Sequence, residues 1–149
     1  MSDKFSVTVA INSQPADVWI ALTDPGRMTK WMGDPDIGIE VHTDWRIESP
    51  ILIRGFHHIK FENKGTVLKY EKERRLSYTH LSSVSRLPDK YENYSILEFI
   101  LTPIENHTQL TLNIEKFPTE TIRRHLEFYW RATILTIKES VENSHQQNA

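Results

Sequence analysis

One long amphipathic helix at the end of a β-rich chain leaves this sequence few ways to fold. Strand-like alternation ends at Lys116-Phe117-Pro118, and beyond it Trp130, Leu135, Ile137, Lys138 and Val141 recur at helical spacing. Thr119 suits the N-cap, and Glu120 suits the positive end of the helix dipole. Ile122, Leu126, Trp130, Thr133, Ile137 and Val141 fall on one stripe, which Phe128 and Leu135 widen. A helix over residues 120–143 is about 36 Å long, enough to cross a whole sheet. Such a helix buries its stripe by lying across a curved antiparallel sheet, and this arrangement tends to leave a cavity between the two layers.

The rest of the chain supplies the sheet. Phe5, Val7, Val9 and Ile11 alternate with Ser6, Thr8, Ala10 and Asn12, as a half-buried strand does. Ser13 can cap a following helix that has Pro15 and Asp17 in its first turn. Asp24-Pro25-Gly26 breaks that helix, and a second short one is expected from about Arg27 to Met32. Ile37, Ile39 and Val41 read as a strand, Thr43-Asp44 as a turn, and Trp45 with Ile47 as a resumed strand that Pro50 interrupts. Gly55 to Lys64 reads as a polar connection.

Gly65 opens a strand in which Leu68 and Tyr70 share one face. Leu76, Tyr78 and His80 share a face of the next, and six of the seven residues from Lys69 to Arg75 are charged, as in a solvated hairpin tip. Val84 to Asn93 reads as a loop. Leu97, Phe99 and Leu101, then Leu110, Leu112 and Ile114, complete the sheet through a hairpin at Pro103–His107. The expected fold is therefore α+β in a helix-grip arrangement. A curved antiparallel sheet of six or seven strands wraps a long C-terminal helix, with two short helices after the first strand. The 149 residues read as one domain, with a core over about residues 5–143 and a polar tail over 144–149.

Composition narrows the function. The formal net charge is -2, so no basic excess is there to hold a nucleic-acid backbone. Cysteine is absent, which removes disulfides, thiolate metal sites and a cysteine nucleophile and fits a reducing, cytoplasmic setting. The N-terminus runs straight into a strand pattern with no apolar signal-peptide core, and no apolar run is long enough to span a membrane. The seven histidines include no pair at helical i, i+4 ligand spacing, and adjacent His57 and His58 would point to opposite faces of a strand. No metal and no cofactor is expected. Glycine-rich phosphate loops and a nucleophile elbow are missing too, so catalysis has no positive warrant.

Val18-Trp19-Ile20-Ala21-Leu22-Thr23-Asp24-Pro25, followed by Trp31, resembles the opening of START-like helix-grip proteins, a superfamily that includes the birch pollen allergen fold, polyketide cyclases and lipid-transfer domains. Ser49-Pro50-Ile51, Lys64-Gly65-Thr66, Arg75-Leu76-Ser77-Tyr78-Thr79-His80 and Leu87-Pro88-Asp89 resemble one branch more closely. It is the branch named after the C-terminal domain of the ninety-kilodalton heat-shock-protein ATPase activator. Glu92-Asn93-Tyr94, Phe117-Pro118-Thr119-Glu120 and the run from Trp130 to Lys138 extend that resemblance over about residues 5–143. Leu81 stands where relatives often carry tryptophan, and Asp44-Trp45 where many carry a glycine pair; both changes reshape a pocket wall. The eukaryotic activator's chaperone-binding N-terminal domain has no counterpart in this chain.

Three functions follow as expectations. The first is binding of a small, largely apolar or ring-bearing molecule between helix and sheet. Its candidate lining is Trp45, Leu68, Tyr70, Tyr78, His80, Phe99, Tyr129 and Thr133, with His80 as polar handle. The second is a protein-interaction module modulating a chaperone ATPase or another partner, and a homodimer is compatible with the sequence. The third is a cyclase- or hydrolase-like enzyme using a cavity acid or base. Glu92-Asn93-Tyr94 reads either as a pocket mouth or as a loop closed by side-chain-to-backbone hydrogen bonds.

Overall fold

The computed structural model describes residues 4–147. Seven strands form one antiparallel sheet: β1 (Phe5–Ile11), β2 (Glu40–Thr43), β3 (Pro50–His57), β4 (Ile59–Glu71), β5 (Arg75–Ser82), β6 (Ser95–Ile104) and β7 (His107–Glu115). Their order is β1-β7-β6-β5-β4-β3-β2, so the first two strands lie at opposite edges. The chain between them must cross the sheet, and it does so as α1 (Pro15–Thr23) and α2 (Pro25–Met32). Asp24 serves both helices. Its backbone N–H bonds the Ile20 carbonyl at the end of α1, and its carboxylate accepts from the Arg27 N–H at the start of α2. Pro25 sits at the first helical position, where its missing N–H costs nothing. Gln14 rather than Ser13 caps α1; the Ser13 hydroxyl donates to the Asp17 carboxylate at 2.6 Å.

The last helix, α3, runs Glu120–Gln147, and the Thr119 hydroxyl accepts from the Ile122 N–H at its start. It extends into the stretch read as a polar tail. Leu126, Trp130, Thr133, Ile134, Ile137 and Val141 are buried on it. Phe128 and Leu135 are 81% and 52% exposed, contrary to the expectation that they widen the stripe. Phe128 lies two residues from both Leu126 and Trp130, about 200° round the helix, and Ile134 takes the place assigned to Leu135. The core beneath is built from Leu97, Phe99 and Leu101 of β6 and Leu110, Leu112 and Ile114 of β7. No helix among the described residues is long and apolar enough to cross a membrane.

Two segments differ from the reading of the sequence. Trp45 and Ile47 do not resume a strand. The Asp44 carboxylate accepts from the Arg46 N–H and the Ser49 hydroxyl, curling residues 44–49 into a loop whose Trp45 and Glu48 take positive φ. Those bonds, the Ser49 hydroxyl first, hold the Asp44 carboxyl down at about 2. Gly55 to Lys64 is not a connection either. It is the end of a long β3–β4 hairpin, paired from Pro50↔Thr66 to His57↔Ile59.

Candidate functional site

A cavity of approximately 760 Å3 lies between the N-terminal half of α3 and the β3–β5 part of the sheet. Its formation follows from local structure. On β5, Tyr78 and His80 point to the same side, because alternate residues of a strand share a face. Across the ladder Tyr78 pairs with Leu97 and His80 with Ser95, and all four line the cavity. Small Ser95 opposite His80 leaves room where another large side chain would close it. From above, α3 contributes Ile122, Leu126, Tyr129 and Trp130, together with His125; α2 closes one end with Trp31 and Met32. The Trp31 indole N–H donates to the Ala21 carbonyl at 2.8 Å, fixing that wall to α1.

The β4 wall depends on a bulge. Val67 pairs with Tyr78, but Lys69 pairs with Ser77, so Leu68 is an extra residue. The slip exchanges the two faces of β4 at that point. Before it, Asn63 and Val67 face the helix side; after it, Tyr70 does, opposite Leu76. Leu68 is turned outward and 37% exposed. Gly65 lies between Asn63 and Val67, where the two strands touch: a Cβ there would stand 1.7 Å from the Thr79 carbonyl oxygen.

The expected lining residues divide accordingly. Tyr78, His80 and Tyr129 line the cavity. Phe99 and Thr133 are packed into the core beside it, with Phe99 against Trp130 at 5.6 Å between ring centroids. Trp45 and Tyr70 lie behind that wall in an aromatic cluster with Trp19: Trp45 stacks on Tyr70 at 5.9 Å, Tyr70 meets Trp19 at 5.1 Å, and Trp45 tilts against Tyr78 at 6.1 Å. The Trp45 indole N–H donates to the Thr23 carbonyl at 2.6 Å, so that ring braces α1 against the sheet. Leu68 is on the far face because of the bulge. Contributors missed from the sequence include Asn63 and Phe61 on β4, Trp31 on α2, and His125 on α3. Conflict between the apolar pairs Val67 and Leu68-Tyr70 on one strand was the available sign of a bulge.

Three polar side chains on the sheet side of the cavity lack a partner at one or more atoms. The His80 imidazole makes no hydrogen bond among the described residues, and neither does the Tyr78 hydroxyl. Burial, with His125 beside it, pushes His80 down to about 4, so the ring is neutral at neutral pH, with one donor and one acceptor. Burial likewise pushes the Tyr78 phenol up, with Tyr129 nearby adding to the effect. The Oδ1 of Asn63 is enclosed and has no hydrogen-bond partner. Tyr129, by contrast, donates to the Met32 carbonyl at 3.2 Å. Among the described residues no Asp, Glu, Lys or Arg lines the cavity, and no cluster of histidines and acids is placed to hold a metal ion.

The connection from β5 to β6 forms one rim through Val84, Ser85 and Asn93. Lys64 on β4 pairs with Asp89 at 2.6 Å, and the Tyr94 hydroxyl donates to the same carboxylate at 2.5 Å. Those two contacts, the lysine first, hold the Asp89 carboxyl below its ordinary range. The Asn93 amide donates to the Pro88 carbonyl. Asn93 and Tyr94 thus close their own loop while Asn93 also meets the cavity. The opposite rim is the hairpin tip, where Ile59 is 57% exposed.

Comparison with known proteins gives a family and a fold. A model of the family described as Activator of Hsp90 ATPase homolog 1-like protein matches residues 12–142. A protein from Cytophaga hutchinsonii solved in solution is 28% identical, with 96% of each chain covered and a TM-score of 0.78. A crystal structure of protein CV1439 from Chromobacterium violaceum is 19% identical and covers 94% of this chain and 97% of that one, with a TM-score of 0.80. CalU16 from Micromonospora echinospora is 19% identical over 97% of this chain and 79% of that one, with a TM-score of 0.72. No curated protein matches.

Proposed function

This chain belongs to the family of Activator of Hsp90 ATPase homolog 1-like proteins, and on that fold we propose that it binds a small, largely apolar, ring-bearing molecule between α3 and the sheet. The observation that carries the reading is the His80 imidazole, neutral and without a hydrogen-bond partner, set in a wall of Leu97, Leu126, Trp31 and Trp130. The ring is half-buried and borders the open space of the cavity, where a guest can complete its hydrogen bonding. The volume is in the range of small-molecule sites, which are mostly apolar with a few placed polar groups. Tyr78 and Tyr129 supply further aromatic wall, and Trp45, Phe99 and Thr133 act behind it as packing.

The interaction-module reading draws on a different feature, the exposed Phe128 and Leu135 on the outer face of α3. Single exposed apolar side chains are common on protein surfaces and need no partner, which makes the cavity the stronger basis. A hydrolase or cyclase reading would have to run on histidines and tyrosines, because the lining supplies no carboxylate.

Native mass spectrometry of freshly purified protein tests the binding function. A retained small molecule, released on denaturation and absent from a variant whose cavity is filled by Ser95→Phe, is the expected result. Bare protein that also takes up no member of an apolar compound set would overturn it.

A further inference from the structure

Resting on the binding function just proposed, the imidazoles around the cavity narrow the class of guest. We propose that the guest is an apolar acid, bound as its carboxylate, with the head group held between His80 of β5 and His125 of α3.

His57, His58, His80 and His125 all line the cavity, and among the described residues no Asp, Glu, Lys or Arg does. Imidazole is therefore the lining group that titrates near neutral pH, and the charge it gains is positive. The other titratable side chains of the lining, Tyr78 and Tyr129, are pushed up by burial and stay neutral. His58 stands at the β3–β4 hairpin tip with a φ of 67°, outside the alternation of a strand. It and His57 both border the cavity, with ring centroids 4.6 Å apart, and both are exposed, which places them at the mouth. His80 is half-buried on β5, and His125 reaches toward it from α3, near enough that positive charge on the two rings is mutually repulsive.

An anion between His80 and His125 turns that repulsion into two attractions. Each imidazole offers N–H donors to a carboxylate, and His80 has no other hydrogen-bond partner among the described residues. A carboxylate at hydrogen-bonding distance favours the charged form of a neighbouring base by about ten- to a thousandfold. This offsets much of the burial that holds His80 down at about 4. Binding therefore draws a proton from solvent onto the pair, so affinity for the acid rises as pH falls. An ammonium guest finds no anion in the lining and gains nothing from the same protons.

The test uses one apolar body with three head groups: 2-naphthoate, 2-naphthol and the cation of 2-(aminomethyl)naphthalene. Calorimetry measures each from about pH 8 to about pH 5.5, where a carboxylic acid stays ionised. 2-Naphthoate is expected to tighten by about fivefold or more over that range and to bind tighter than the ammonium compound at the lower end. 2-Naphthol is expected to change by less than about twofold. Repeating the 2-naphthoate titration near about pH 6 in two buffers of unlike ionisation heat is expected to show net proton uptake. In His80→Gln, His125→Gln and the double variant the tightening shrinks, with 2-naphthol binding as the check that each is folded. 2-Naphthoate that neither tightens nor takes up a proton, while 2-naphthol binds, overturns the inference and leaves the binding function standing. Undiminished tightening in the folded double variant moves the head group to the mouth histidines and overturns its placement. Failure of all three compounds to bind removes the binding function itself and this inference with it. The comparison in the unaltered protein does not depend on any variant folding.

Discussion

The indole rings of Trp31 and Trp130 meet with centroids 6.1 Å apart at a tilt of 54°, joining α2 to α3 at the edge of the cavity. Trp130 also packs edge-on against Phe99 and its chain neighbour Tyr129, so one side chain ties the long helix to the sheet and to the short helices. Truncating Trp130 to alanine removes a large buried ring and is expected to cost about 3–5 kcal/mol, as for other buried aromatics. Chemical denaturation checks this; a midpoint indistinguishable from the parent's would refute the packing described for α3.

Gly65→Ala is expected to be severely destabilising. The added methyl would stand 1.7 Å from a backbone carbonyl oxygen, Thr79's, which cannot swing aside as a flexible side chain would. Strands β4 and β5 would have to separate beside the cavity, at a cost of at least about 3 kcal/mol, the upper end of overpacking. Soluble protein with a near-parent melting temperature would contradict this contact.

His80 links stability to pH in a defined direction. Its folded-state value, about 4, is below the ordinary 6.5, so between those values the unfolded chain binds the proton that the folded chain refuses. Stability therefore falls as pH drops from about 6.5 to about 4, by up to roughly 3 kcal/mol from this residue. In His80→Phe that part of the loss disappears. Denaturation curves at several pH values across the window measure the difference; identical pH profiles for parent and variant would show that His80 is not held neutral.

Asp89→Asn should loosen one rim without unfolding the protein. Asp89 holds Lys64 of β4 and the Tyr94 hydroxyl together, and both contacts are near the surface. Exposed ion pairs contribute little, so the global change is expected to stay within about 1 kcal/mol. Amide hydrogen exchange should rise over residues 86–94, next to the Val84 and Ser85 rim. Unchanged exchange there would mean that the loop is held by its own backbone turns instead.

Much of the architecture was legible because periodicity is a local signal. The alternation of Leu97-Phe99-Leu101 and Leu110-Leu112-Ile114 matches the buried faces of β6 and β7, and Thr119 does cap α3. The wall of the cavity was less legible, because it depends on events that alternation cannot carry. One bulge at Leu68 reverses the face of β4, so Leu68 reads as inward and Asn63 is overlooked. Polar residues such as Lys60, Glu62 and Lys64 disguised paired backbone as a connection, since a strand near a sheet edge can present polar side chains without losing its ladder. Trp45 reads as a sheet residue facing the guest, yet the Asp44 carboxylate curls its loop and sends the indole to Thr23.

The central claim is that the space under the first half of α3 is a binding site. Titrating nitrogen-15-labelled protein with 2-naphthol and following the amide resonances tests it most directly. The account predicts saturable, one-to-one shifts centred on Asn63, His80, Ser82 and Leu126, which surround the cavity. Shifts that never saturate, or that centre on the outer face of α3 around Phe128 and Leu135, would contradict it.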